Sequence, residues 1–92
     1  LGVTVRPLTP EIARQLELRA GAQGLVVDEV DPAGPASDAG LRPGDVIEQV
    51  NRQPVRSNDE LAAALARAGA RPVLLLVNRR GTTFFVTVRP RQ

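Results

Sequence analysis

The sequence contains no cysteine, no histidine and no lysine, and only two of its residues are aromatic. Without cysteine, disulfides and thiolate metal sites are excluded. Without histidine, the commonest general base and transition-metal ligand is missing. Nucleophilic sites of the Ser–His, Cys–His or Ser–Lys type cannot be built. The scattered carboxylates are typical of solvated faces, so we expect no catalytic residue, no metal and no cofactor in this chain.

The charge is nearly balanced, with 12 basic and 10 acidic residues and a net charge of +2. A local basic bias comes from Arg79 and Arg80, which are predicted to lie in a solvated turn, and from the C-terminal arginines. The adjacent Phe84 and Phe85 point to opposite faces of a strand, so they do not form a stacking platform for bases. We therefore expect no nucleic-acid partner. No apolar run approaches the ~20 residues of a membrane span, and no membrane insertion is expected.

The length of 92 residues fits one domain and leaves no room for a second core. We predict a single domain over 1–92, with an ordered core over 1–89 and a tail over 90–92. Because Leu1 opens directly on a strand pattern, the sequence has the character of a piece cut from a longer protein.

Apolar residues alternate at Leu1, Val3 and Val5, which predicts a half-buried strand. Thr9 and Pro10 then form a helix-start signal, and the helical pattern continues to Gly21. The following elements are a strand over 25–30, a one-turn helix over 35–39, a tight turn over 41–44 and a strand over 45–51.

In the second half, Ser57 and Glu60 form a capping box in which each side chain satisfies the other residue's free amide. The helix they start runs to Ala68. Two strands, 72–77 and 82–88, form a hairpin across 78–81, with Phe84, Val86 and Val88 facing the core. This set of strands and helices predicts an α+β fold: a small antiparallel β-barrel or sandwich of five to six strands capped by two helices.

One run, PASDAGLRPGDVI over 35–47, resembles the most recognisable stretch of PDZ domains, PAxxAGLxxGDxI. The order of elements is similar to the permuted strand order of bacterial PDZ domains. The segments LGV, LTPEIARQLEL and GLVVDEV resemble the Do/HtrA family of periplasmic serine endoproteases. The Val-rich strand, basic turn and TTFFVTV strand are most similar to the second, C-terminal PDZ domain of that family.

The resemblance implies a non-catalytic module that binds hydrophobic C-termini of substrate or regulatory polypeptides by β-strand addition. A terminal Val, Leu or Ala is expected, because the walls are aliphatic. The carboxylate-binding loop would comprise Leu1, Gly2 and Val3. Gly2 suits it because a missing Cβ lets the ligand approach closely. The groove would be lined by Thr4, Val5, Asn58, Leu61, Ala64 and Leu65. Several aliphatic residues of the two segments also fit a plain core, and Leu61 and Leu65 could serve both core and groove.

Two departures from the family pattern bear on this interpretation. Arg52 stands where many relatives carry glycine after the Asn, and a slightly different turn is expected there. Family residues upstream of Leu1 that complete the loop are missing, so we expect the loop to be truncated.

Other functions stay open. The domain could pack against neighbouring PDZ or protease domains or protomers with its groove closed, serving assembly. It could also belong to a secretion or membrane-protease scaffold. The family resemblance implies a periplasmic location and a role in protein quality control.

Overall fold

The computed structural model describes residues 2–89, so Leu1 and the predicted tail over 90–92 lie outside the described residues. The described chain folds into six strands and three helices. In chain order these are β1 (Val3–Pro7), α1 (Pro10–Gln15), β2 (Leu25–Val30), α2 (Pro35–Asp38), β3 (Val46–Val50), β4 (Gln53–Pro54), α3 (Asn58–Ala68), β5 (Val73–Arg79) and β6 (Thr82–Val88).

All strands belong to one antiparallel sheet in the order β1-β2-β3-β5-β6, with the short β4 added beside β3. Within residues 2–89, β1 and β6 do not pair with each other. The α+β class and the strand number are confirmed, and α2 is the predicted one-turn helix. The sheet is open, which corrects the barrel alternative.

The main core cluster, which includes the fully buried Leu25, Ile47 and Leu75, lies on one face of the sheet, and Val26 and Val46 are buried on the other. Burial of an aliphatic side chain of this size stabilises the fold by roughly 1.5–3 kcal/mol. In β6, Val88 is fully buried, and Phe84 and Val86 pack half-buried against the core cluster. The predicted inward face of this strand is confirmed.

Helix α1 ends earlier than the sequence pattern suggests. Thr9 Oγ1 accepts a hydrogen bond from the Ile12 amide at 3.2 Å, as predicted for an N-cap. At the other end, Glu17 takes a left-handed conformation with φ 59°, and the Leu18 amide donates to the Ala13 carbonyl at 2.8 Å. This closing pattern stops the helix at Gln15, before the glycines do. No helix within residues 2–89 is both long and apolar enough to cross a membrane.

The hairpin turn between β5 and β6 is tighter than predicted. Residues 78 and 79 pair with Thr83 and Thr82, so only Arg80 and Gly81 form the turn. Both have positive φ, 49° and 92°, as a two-residue type I′ turn requires. The Asn78 side-chain oxygen accepts from the Gly81 amide at 2.8 Å and fixes this conformation.

Arg79 was predicted to lie in the solvated turn, but it is the last residue of β5 and binds a buried carboxylate. Its Nε and Nη2 atoms donate to the two oxygens of Asp45 at 2.9 and 2.8 Å, and Nη2 also donates to the Gly40 carbonyl. Asp45 is only 2% exposed and accepts a further bond from the Arg42 amide at 3.0 Å. The guanidinium also lies 4.9 Å from the centre of the Phe84 ring.

This ion pair changes the acid–base behaviour of the arginine. The hydrogen bond to Asp45 raises the pKa of Arg79, and the charge of Asp45 adds to the rise, while partial burial opposes both. Arginine is charged at ordinary pH in any case, so the pair supplies a permanent cation beside the buried Asp45 side chain. The turn before β3 and the end of β5 are thereby joined.

The turn that carries Arg52 has a left-handed backbone. Asn51 and Arg52 have φ of 49° and 68° and connect β3 to β4. Asn51 is held by its side-chain oxygen, which accepts from the Leu74 amide at 2.9 Å. Arg52 has no such bond, and at this positive φ arginine costs about 1 kcal/mol relative to glycine. The expectation of a slightly different turn from that of the relatives stays a prediction.

Candidate functional site

Strand β1 is an edge strand that pairs only with β2 within the described chain. Val3 and Val5 are half-buried and pack against the core cluster, whereas Thr4 and Arg6 between and beyond them are exposed. The Arg6 side chain is held by an ion pair with Asp28 of β2 at 3.0 Å. The edge is therefore firmly attached on one side and open on the other.

Gly2 precedes this strand, and its lack of a side chain has a local reason. Its φ is 80°, and its carbonyl accepts a hydrogen bond from the Asp31 amide at 2.8 Å. A Cβ at this position would lie 3.3 Å from the Cα of Gly34, at the start of α2. Positive φ and close packing against Gly34 thus favour glycine here without any ligand. The predicted close approach of a carboxylate stays a prediction.

Helix α3 lies against β1 and β3 and forms the second wall. Ser57 Oγ accepts from the Glu60 amide at 3.1 Å, as predicted. The Glu60 carboxylate, however, accepts from the amide of Arg56 at 2.8 Å, one residue before the predicted partner. Such a cap is worth about 1 kcal/mol to the helix, and it fixes where α3 begins opposite β1.

The predicted α3 site residues fall on two faces of the helix. Leu61 and Ala64 are 6% and 5% exposed and belong to the core cluster, together with Ala68. Ala64 also lines a cavity of about 100 Å³ whose other walls come from β3, the Asn51 turn and the end of α3. The structure therefore places these two predicted groove residues in the core.

The other two predicted residues, Asn58 and Leu65, keep exposed surface. Asn58 is exposed, and Leu65 is half-buried against the same core cluster as Val3 and Val5. Residues at positions i, i+4 and i+7 share one face of a helix, so Ala62 lies on the same face of α3 as Asn58 and Leu65. Ala62 is exposed and was missed by the sequence interpretation; its spacing from Asn58 and Leu65 was the available signal. Leu1 lies outside the described residues.

The candidate groove, called the trough below, is the space between β1 and α3, which contact each other. One wall is β1, with an unpaired backbone edge and the side chains of Val3 and Val5. The other is the face of α3 that carries Asn58, Ala62 and Leu65. An added strand could hydrogen-bond to β1 while inserting alternate side chains between the walls. This arrangement makes the space between the two walls a candidate peptide-binding site.

The fold and the candidate groove define a small β-module with an open edge strand, and comparison with known proteins identifies its class. The family model "PDZ domain" matches residues 26–79. The chain belongs to the PDZ domain family. Within it, the chain is homologous to the PDZ region of DegP/HtrA serine endoproteases.

The relatives carry consistent names. A "probable periplasmic serine endoprotease DegP-like" of Chlamydia trachomatis is 38% identical over 97% of this chain. The magnetosome formation protease MamE of Magnetospirillum gryphiswaldense is 44% identical over 88%. The chain spans 18% and 10% of the length of these two relatives.

Solved structures agree with these sequence relatives. The HtrA-type protease AlgW with a decapeptide superposes with a TM-score of 0.83 and 35% identity, covering all of this chain and 29% of that one. The HtrA3 PDZ domain bound to the phage-derived ligand FGRWV superposes with a TM-score of 0.81 and 30% identity, covering 99% of this chain and 83% of that one.

Proposed function

We propose that this domain binds the C-terminal segments of polypeptides by adding them as a strand to β1, opposite α3. The observation that carries the proposal is the edge position of β1 beside a second aliphatic wall. A bare edge strand favours aggregation unless it is short, protected or occupied. A peptide ligand would occupy it.

The ligand's last side chain would enter the trough between Val3, Val5 and Leu65. These side chains are aliphatic and only half-buried, so an apolar terminal residue would cover them. Each buried aliphatic group of the ligand would then add roughly 1.5–3 kcal/mol. The terminal carboxylate would be received by backbone amides around Leu1, Gly2 and Val3. A terminal Val, Leu or Ala satisfies these requirements.

We also propose a setting for the domain: a periplasmic serine endoprotease of protein quality control, in which it recognises or regulates substrates. Support comes from the names of the homologous proteins and from the small share of their length that the chain spans. Within such a protein we assign the chain to the second PDZ domain, on the resemblance of its last two strands.

The test is a titration of the 92-residue chain with a hexapeptide ending in free Val, followed by calorimetry or fluorescence anisotropy. The same peptide as its C-terminal amide should bind at least 10-fold more weakly, because hydrogen bonds to a charged group are worth about 1.5–3 kcal/mol. A peptide ending in Asp serves as the control for the apolar pocket. Equal affinity for the free acid and the amide would exclude carboxylate capture.

A further inference from the structure

We propose that Pro7 limits the length of ligand that the domain reads, so that strand pairing covers only the last four residues of a bound C-terminus. This inference rests on the proposed peptide binding and concerns the far end of the same edge. It assigns to Pro7 a role in specificity.

The first step is to find which backbone groups of β1 face the open edge. In an antiparallel strand, the N–H and C=O of successive residues point alternately to the two sides. The Gly2 carbonyl accepts from the Asp31 amide, next to β2, and the Leu8 amide donates to the Gly24 carbonyl, just before β2. The backbone N–H and C=O groups of the even-numbered residues therefore point towards β2 at both ends of the strand.

The bulge in the β1–β2 ladder does not disturb this alternation. The register steps from Thr4 opposite Glu29 to Val5 opposite Val27, so the extra residue, Asp28, lies on β2. No residue is inserted in β1 itself, and the hydrogen bonds of Gly2 and Leu8 show that even-numbered residues bond towards β2 on both sides of the bulge. The backbone groups that face the open edge are therefore those of Val3, Val5 and Pro7.

The second step is to ask what each of these can do for an added strand. Val3 and Val5 each offer one N–H donor and one C=O acceptor. Pro7 offers only a carbonyl, because proline has no N–H, and its ring occupies the place of the missing hydrogen. Proline is found in sheets mainly on edge strands, where it ends pairing.

The third step is the alignment of the ligand. If its terminal carboxylate lies at the amides of the loop before Val3, an antiparallel ligand pairs the third residue from its end with Val5. The fifth residue from its end would then meet Pro7. That pair lacks the hydrogen bond from the β1 amide, and the Pro7 ring keeps the ligand backbone away from the remaining acceptor, the Pro7 carbonyl, so further ligand residues gain little. The bound class is therefore C-terminal tails whose last four residues are extended and accessible.

The experiment measures affinity against ligand length, with acetylated peptides of three to eight residues that share one terminal sequence ending in Val. Affinity of the wild-type chain should rise to four residues and then stay level within about 2-fold. The variant Pro7→Thr restores an N–H donor and should bind peptides of five or more residues about 2- to 10-fold tighter than wild type. Tripeptide affinity should be the same for both.

Pro54→Thr is the matched control, because Pro54 is also an exposed strand proline but lies on β4, away from the groove. Its length profile should follow the wild type. A second measurement needs no variant: replacing one peptide bond of the ligand by an ester weakens one carbonyl acceptor. An ester after the fifth residue from the end should not change wild-type affinity, whereas one after the third should weaken it.

The outcomes separate the two proposals. If no peptide binds, the proposed function fails. If tripeptides bind but wild-type affinity continues to rise at the fifth and sixth residues, or the ester after the fifth residue weakens binding, then Pro7 does not limit the ligand and only this inference is overturned.

Discussion

The edge at β1 and the turn at Asp45 treat their polar groups in opposite ways. At β1, the outward backbone groups of Val3 and Val5 have no partner strand within the described chain. At the turn before β3, both carboxylate oxygens of a 2% exposed Asp45 accept hydrogen bonds from Arg79, and one accepts a further bond from a backbone amide. One region is left open to another molecule, and the other is closed within the fold.

If β1 binds a peptide as proposed, this difference means that separate residues carry stability and binding. A buried charge whose partner is removed is strongly destabilising, because its desolvation is no longer offset. Half-buried aliphatic side chains on a groove wall contribute less to the fold and are available to a ligand. Substitutions in the two regions should therefore produce different phenotypes, and this separation can be tested.

The largest effect is expected for Arg79→Met, which leaves the Asp45 carboxylate buried without its cation. Breaking a buried pair costs 3–5 kcal/mol, and the lower end, about 3 kcal/mol, applies because Arg79 itself is partly exposed. Urea denaturation, followed by circular dichroism, measures this loss in the free energy of unfolding. The affinity of the folded protein for a Val-ending peptide should not change.

Arg80→Met is the control, because Arg80 is exposed in the neighbouring turn. It should change the free energy of unfolding by less than about 0.5 kcal/mol. Equal losses for the two variants would show that the ion pair with Asp45 does not stabilise the fold.

The second prediction concerns the groove wall. Leu65→Asp removes an aliphatic contact and places a negative charge near the ligand's carboxylate, so peptide affinity should fall about 10- to 100-fold. Leu74→Asp is the matched control: Leu74 is also half-buried, but it neighbours the buried Leu75 on β5 and so points to the other face of the sheet. If both variants lose affinity equally, α3 is not the second wall.

The sequence anticipated this division only in part, and the reasons are physical. The helix pattern of α3 predicted an apolar stripe, but periodicity alone does not show how a helix is rotated between a core and a groove. Leu61 and Ala64 therefore turned out to be core residues, and Ala62 was missed. The Asp45–Arg79 pair spans 34 positions along the chain. Local patterns carry no information on such a contact, whereas the helix N-caps at Thr9 and Ser57, which depend on near neighbours, were predictable.

The smallest effect is expected at the β3–β4 turn, where Arg52 has φ 68°. Glycine adopts this conformation without the steric cost that a Cβ carries, so Arg52→Gly should raise the free energy of unfolding by about 0.5–1 kcal/mol, despite the extra freedom of glycine in the unfolded chain. Asn51→Gly, at φ 49°, should instead lower the free energy of unfolding, because the Asn51 side-chain oxygen accepts a hydrogen bond from the Leu74 amide at 2.9 Å.

Denaturation curves of the two variants measure both changes in the free energy of unfolding. A gain in both would show that left-handed strain outweighs this hydrogen bond. A loss in both would mean that the Arg52 side chain stabilises the turn. Peptide affinity should be unaffected by either change, since the turn lies outside the two walls of the groove.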